Sequence, residues 1–143
     1  MTQSTRSTSG AGGARSGRTG RPARILLDSS CWLEWLADTP RARLLEPAFE
    51  RPQDLIVPTI VIYEVTKKLR REAGDDVAWQ ALSLMQQGLV VGIDQHLAVA
   101  ATGNGLPMAD SLIYATAQQQ AAELWTQDAH FKGLPGVRWL SKE

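Results

Sequence analysis

From Arg24 onward the chain alternates short apolar runs with amphipathic stretches of helical period, and this alternation restricts its fold more than any other feature. A short apolar run between turn signals reads as a strand, and an apolar period of 3.6 residues reads as a helix. Regular alternation of the two builds a mainly parallel sheet with helical crossovers. The first strand is Arg24-Ile25-Leu26-Leu27, followed after Asp28-Ser29-Ser30 by a helix with Trp32, Leu33, Trp35 and Leu36 at helical spacing. Thr39-Pro40 sets an N-cap before a proline suited to the first helical position, which predicts a second helix burying Leu44, Leu45 and Ala48. Leu55-Ile56-Val57 is the second strand. It leads through Pro58-Thr59 into a helix with Ile62, Val65 and Leu69 inward and Lys67, Lys68, Arg70 and Arg71 outward. Gly74 ends that helix, Asp75 or Asp76 caps the next, whose face is Val77/Ala78, Ala81/Leu82 and Met85, and Gly88 precedes a third strand from Leu89 to Ile93. A short helix from Gln95 to about Thr102, a Gly103-Asn104-Gly105 break and a helix from Met108 to Ala122 follow. Strands at Leu124-Trp125-Thr126 and Val137 to Leu140 complete the pattern. The expectation is a single α/β domain of three layers, with a mainly parallel sheet of about five strands flanked by helices.

A length of 143 residues with 43% hydrophobic content suits one core. The longest apolar runs, such as Leu89 to Ile93, fall far short of the roughly 20 residues that cross a bilayer, and no apolar segment follows the basic amino terminus. A soluble, cytoplasmic protein without a membrane partner is expected. Cys31 is the single cysteine, so neither an intramolecular disulfide nor a thiolate zinc cluster is available. Residues 1–24 hold five arginines and no acid, lack Val, Leu, Ile and aromatic residues, and so read as a disordered Arg/Ser/Gly-rich tail. No specific role is the favoured reading of this tail, and a flexible arm that touches RNA is compatible with it.

The formal charge of zero hides an asymmetry: residues 25–143 carry ten Lys/Arg against fifteen Asp/Glu. An acidic domain that acts on a polyanion has to neutralise its carboxylates, and clustered carboxylates do so by binding divalent cations. Ligands of open parallel sheets sit beyond the carboxyl ends of the strands. Four acids fall there. Asp28 follows the first strand, Glu64 lies in the first turns of the helix after the second, Asp110 opens the helix after Pro107, and Asp128 follows the fourth strand. Each also has an ordinary reading: Asp28 and Asp128 as loop or N-cap residues, Asp110 as a complement to a helix dipole, Glu64 as the i,i+4 partner of Lys68. Glu64 is the most telling, because it stands amid Ile60, Val61, Ile62, Tyr63 and Val65, where an unpartnered carboxylate is costly. Four carboxylates at one rim repel unless they share a cation. Oxygen ligation without paired His or Cys favours Mg²⁺ or Mn²⁺, and the chemistry that suits such a site is phosphoryl hydrolysis.

The segments Ile25-Leu26-Leu27-Asp28-Ser29-Ser30, Val61-Ile62-Tyr63-Glu64-Val65, Leu106-Pro107-Met108-Ala109-Asp110-Ser111-Leu112-Ile113 and Leu124-Trp125-Thr126-Gln127-Asp128-Ala129-His130-Phe131 together resemble the PIN domain, and within it toxins of the VapC type. The resemblance covers about residues 25 to 140, so that residues 25–143 form the domain. It implies a doubly wound sheet and a Mg²⁺-dependent endoribonuclease, with Asp28, Glu64, Asp110 and Asp128 as an acidic metal-binding quartet and Asp28 and Asp110 as main ligands. It further implies that the Thr126 hydroxyl orients the site and that Ser29 assists. Many relatives carry another acid where this chain has His130, a departure that weakens the expectation of a second metal ion. An antitoxin of the VapB type covering the acidic rim, and homodimerisation through apolar surface such as Trp32 or Trp35, are also implied.

Other readings remain open. His130 reads as a structural or solvated loop histidine or as a contact to metal or phosphate. His96 reads as a helix-start residue. Trp32, Trp35, Trp125 and Trp139 read as core or dimer surface rather than base-stacking platforms. Lys67, Lys68, Arg70 and Arg71 form either a solvated face or one that steers RNA phosphates. The alternative to a nuclease is a catalytically silent PIN-like module that binds RNA or protein. Phosphatase, receiver and nucleotide-triphosphatase readings lack their defining residues: Ser30 replaces a needed aspartate, and no Gly-rich loop with lysine is present.

Overall fold

In a computed structural model, which describes residues 24–142, strand β1 (Ile25–Leu27) is buried along its whole length. That burial marks a central strand of a parallel sheet, whose two faces are both covered. Its neighbours are β2 (Leu55–Pro58) on one side and β4 (Glu123–Thr126) on the other, with β3 (Leu89–Val91) and β5 (Val137–Trp139) at the edges. All pairings are parallel, with Leu26 opposite both Ile56 and Leu124 and Leu27 opposite Trp125. The chain thus steps outward from β1 to β3, then crosses back to lay β4 and β5 on the far side. The reversal falls between β1 and β4, and the crevice beyond their carboxyl ends is where such a sheet receives a ligand.

The connecting helices are α1 (Ser29–Leu36), α2 (Thr59–Glu72), α3 (Asp75–Met85), α4 (Gln95–Ala101) and α5 (Met108–Gln119). Trp32, Trp125 and Phe131 are the largest fully buried side chains and join the sheet residues in one core. Trp32 is therefore core, unavailable to a dimer surface. Trp35 stacks on Phe49 with ring centroids 4.1 Å apart. His96 stands in the first turn of α4, whose cap is the Asp94 carboxylate accepting from Leu97 N–H.

Several details differ from the sequence expectation. The segment after Thr39 is a 3₁₀ helix, Pro40–Phe49, with Pro47 inside it. Its period of 3.0 residues puts Ala42, Leu45 and Ala48 on the buried face and turns Leu44 out to 47% exposure. Thr39 makes no side-chain cap, because its hydroxyl donates to Glu34 Oε2. In α2 the deepest residues are Val61 and Val65, with Ile62 and Leu69 half-buried. Gly74 is the N-cap of α3, leaving Asp75 and Asp76 in the first turn and Val77 exposed. Helix α5 stops at Gln119 rather than Ala122, where Ala121 turns to φ 53° and Ala122 N–H returns to Ala117 O at 2.9 Å. Gly88 is set by proximity: a Cβ there would lie 2.6 Å from Leu55 O, so a side chain would push β3 away from β2. The tail expected over residues 1–24 lies outside the described residues apart from Arg24, which hydrogen-bonds Gln120 Oε1 at 2.9 Å. Among the described residues no helix is long and apolar enough to cross a membrane.

Candidate metal centre

Strand β1 hands its chain directly to α1, and the residue between them is Asp28. Its carboxylate is the N-cap of α1: Oδ1 accepts from Cys31 N–H at 3.0 Å and from the Ser30 hydroxyl at 2.6 Å. Its own N–H donates to Trp125 O at 3.2 Å, fixing it against β4. The other oxygen, Oδ2, accepts from the Thr126 hydroxyl. Asp28 is 4% exposed, and burial pushes its pKa up despite the opposing hydrogen bonds from Ser30, Thr126 and Cys31. The ordinary N-cap role and a place at the switch point thus coincide in one residue.

Thr126, fully buried at the end of β4, works in two directions. While donating to Asp28 it accepts from the Asp128 N–H at 2.9 Å, so one hydroxyl sets the positions of two carboxylates. Asp128 in turn caps the short 3₁₀ turn Ala129–Phe131 by accepting from His130 N–H at 2.9 Å. That turn brings the His130 ring toward α5. Its Nδ1 lies 2.8 Å from Asp110 Oδ2 and 3.4 Å from Asp128 Oδ1. The hydrogen bond to Asp110, then the Asp128 charge, hold the His130 pKa above its ordinary value. Asp110 stands in the first turn of α5, where the helix dipole favours a negative group.

Glu64 completes the rim from α2. It is half-buried, and burial pushes its pKa up; a hydrogen bond with Ser29 opposes this, while the charges of Asp110, Asp28 and Asp128 add to it. The ion pair with Lys68 does not form, because Lys68 pairs with Glu72 at 3.2 Å. All four acids therefore face one rim. The tightest group is Asp110, Asp128 and His130, which offer ligand atoms within 4.8 Å of one another; Asp28 and Glu64 stand beside it and not in it. A concentration of carboxylates at the sheet's switch point, two of them, Asp28 and Glu64, with pKa values pushed up, is a donor set that fits a divalent cation.

Two participants were weakly signalled in sequence. His130 belongs to the compact group, and its signal in sequence is its place two residues after Asp128, where many relatives carry another acid. Gln127 lies buried beside the rim: its amide oxygen accepts from Arg41 Nη2 at 2.8 Å, its amide NH₂ donates to Glu34 Oε1 at 3.1 Å, and its backbone N–H donates to Ser30 Oγ at 3.3 Å. Nothing in a glutamine's sequence context announces such a clamp.

The model of the PIN domain matches residues 25–137. Among solved structures, a toxin–antitoxin complex from Klebsiella pneumoniae is similar at TM-score 0.69 and 23% identity, over 80% of this chain and 95% of that one. VapC20 of Mycobacterium tuberculosis, a sarcin–ricin loop cleaving toxin, gives TM-score 0.63 and 20% identity over 80% of this chain and 98% of its own. DNA-bound VapBC from Salmonella typhimurium gives 0.63 and 14%, over 83% and 98%. At these identities the likeness speaks for the fold. No curated protein matches the chain. With a family model spanning β1 to β4 and reaching the first residue of β5, the chain belongs to the PIN domain family.

Proposed function

We propose that this chain is a metal-dependent endoribonuclease and the toxin component of a toxin–antitoxin pair. The observation that carries the reading is the convergence of Asp28, Glu64, Asp110 and Asp128 at the β1/β4 switch point, with Thr126 hydrogen-bonded between the two strand-end acids. Asp110 and Asp128, with Asp28 and Glu64 beside them, are the residues that would hold Mg²⁺ or Mn²⁺. A cation bound there supplies an acidified water and neutralises charge on the scissile phosphate. Thr126 holds the Asp28 carboxylate in one orientation, Ser29 does the same for Glu64, and the Gln127 clamp keeps the strand end that carries Asp128 in place. Support for the toxin assignment comes from the solved relatives, which include toxin–antitoxin complexes and an RNA-cleaving toxin. The antitoxin partner would cover the acidic rim with basic side chains.

The test is cleavage of total RNA by the partner-free protein with Mg²⁺ or Mn²⁺, beside an EDTA control and the Asp110→Asn variant. Discrete fragments that disappear in both controls are expected. Absence of cleavage by the wild type, or equal cleavage by Asp110→Asn, would replace the nuclease with a binding module.

A further inference from the structure

Along the outer side of α2 runs a groove of about 610 Å³ lined by Tyr63, Thr66, Lys67, Arg70, Arg71 and Asp75. Its chemistry is unlike that of the acidic rim. Tyr63 is 56% exposed with the Lys67 ammonium 5.5 Å from its ring centroid, and Arg70 lies 5.3 Å over the ring of Trp79, itself 46% exposed, on α3. The Thr66 hydroxyl is turned inward, donating to Ile62 O at 2.7 Å, so cations and aromatic faces dominate the groove. Arg70 pairs with Asp75 and Arg71 with Glu72, but Lys67 has no carboxylate within salt-bridge distance among the described residues.

Helical geometry links this groove to the acids. Tyr63, Lys67 and Arg70 share one stripe of α2, while Glu64, Lys67, Lys68 and Arg71 share the adjoining one. Lys67 belongs to both. A polyanion whose reacting phosphate lies at Glu64 therefore meets Lys67 next and then the Tyr63 ring, within the roughly 10 Å that seven residues of helix span. Exposed aromatic faces reward bases that are free to stack, and duplex bases are already stacked on one another.

We propose that this groove is a docking track for single-stranded RNA, with one base stacked on Tyr63 and the adjoining phosphate held by Lys67. The proposal rests on the nuclease reading for its substrate and adds where and in what form the strand lies. Exposed aromatics interleaved with cations, one of them unpaired and adjacent to the acidic rim, favour a nucleic acid strand over a protein partner.

The experiment is fluorescence anisotropy of a short labelled single-stranded RNA and its duplex form, with the full chain in EDTA, where cleavage plays no part. Tyr63→Ala is expected to weaken single-strand binding about five-fold or more, with Tyr63→Phe close to wild type. Lys67→Ala should weaken binding and lower the slope of log Kd against log salt by about 0.7. Photocrosslinking of 5-iodouridine RNA to the wild type, which needs no substitution, should map to the peptide containing Tyr63. Unchanged affinity in both alanine variants, duplex binding as tight as single-strand binding, or crosslinks that avoid Tyr63 would overturn the proposal and leave the groove to a protein partner. Failure of cleavage alongside intact Tyr63-dependent binding would sink the nuclease reading and leave the track standing.

Discussion

Thr126 donates its hydroxyl to Asp28 and accepts the N–H of Asp128, so a single buried oxygen spaces the two strand-end acids. Thr126→Val keeps the shape and deletes both bonds. Leaving the Asp28 Oδ2 and the part-buried Asp128 N–H without this partner should cost about 2 kcal/mol. Thr126→Ser keeps the hydroxyl and loses a methyl group, at about 1 kcal/mol. Urea denaturation gives both numbers. A loss confined to Thr126→Ser, with Thr126→Val as stable as the wild type, would assign the contribution to methyl packing, and the positioning role would go with it.

The metal-free protein should be more stable at mildly acidic than at mildly alkaline pH. Burial raises Asp28 from 3.8 and Glu64 from 4.5, and Asp110 with Asp128 raises His130 from 6.5. A raised folded pKa gives stability that is complete below the unfolded value and is lost as pH rises through the folded one. All three shifts act in that sense, the acids from above the ordinary carboxylate range and His130 from above 6.5. Glu34 and Glu72, lowered by hydrogen bonds from Thr39 and Lys68 respectively, lose their contributions only as pH falls below 4.5. In EDTA the melting temperature should fall between pH about 5.5 and 8, and added Mg²⁺ should restore most at the upper end. A melting temperature in EDTA that rises across this range would contradict the assignment.

Much of this architecture was legible because strands and helices announce themselves through burial. Ile25-Leu26-Leu27 and Leu55-Ile56-Val57 are apolar at every position, which is what central parallel strands require. Trp32 suits core or dimer surface equally by its sequence context, and in the structure it is core. The 3₁₀ segment is hard to tell from an α-helix in sequence because Leu44-Leu45 suits either period; Pro47 inside it is the signal for the tighter form. At the site, the acids were visible as carboxylates in apolar company. The bonds that orient them were not, because Thr126–Asp28, Gln127–Arg41 and His130–Asp110 join residues distant in sequence.

Cys31 should be chemically silent while the protein is folded. The thiol is fully buried and donates to Trp125 O at 3.4 Å, and burial, followed by the Asp28 charge, pushes its pKa far up. As the single cysteine, it reports on one place, the first turn of α1. Iodoacetamide at pH about 8 should label the urea-unfolded chain quickly and the native chain only at the rate of global unfolding. Rapid labelling under native conditions would mean that the Asp28 cap opens locally, and with it the rim.

His130 gives the tight group a nitrogen donor beside the carboxylates of Asp110 and Asp128. Imidazole suits Ni²⁺ far better than Mg²⁺, which keeps to oxygen ligands. In calorimetric titrations at alkaline pH, where the His130 proton is released, His130→Ala should lower Ni²⁺ affinity by about ten-fold and change Mg²⁺ affinity little. His130→Asp should strengthen Mg²⁺ binding by adding a third carboxylate to the group. Equal losses of both ions in His130→Ala would place the ring outside the coordination sphere. Its contribution would then be to orient Asp110 through the 2.8 Å hydrogen bond, an effect that does not distinguish one cation from another.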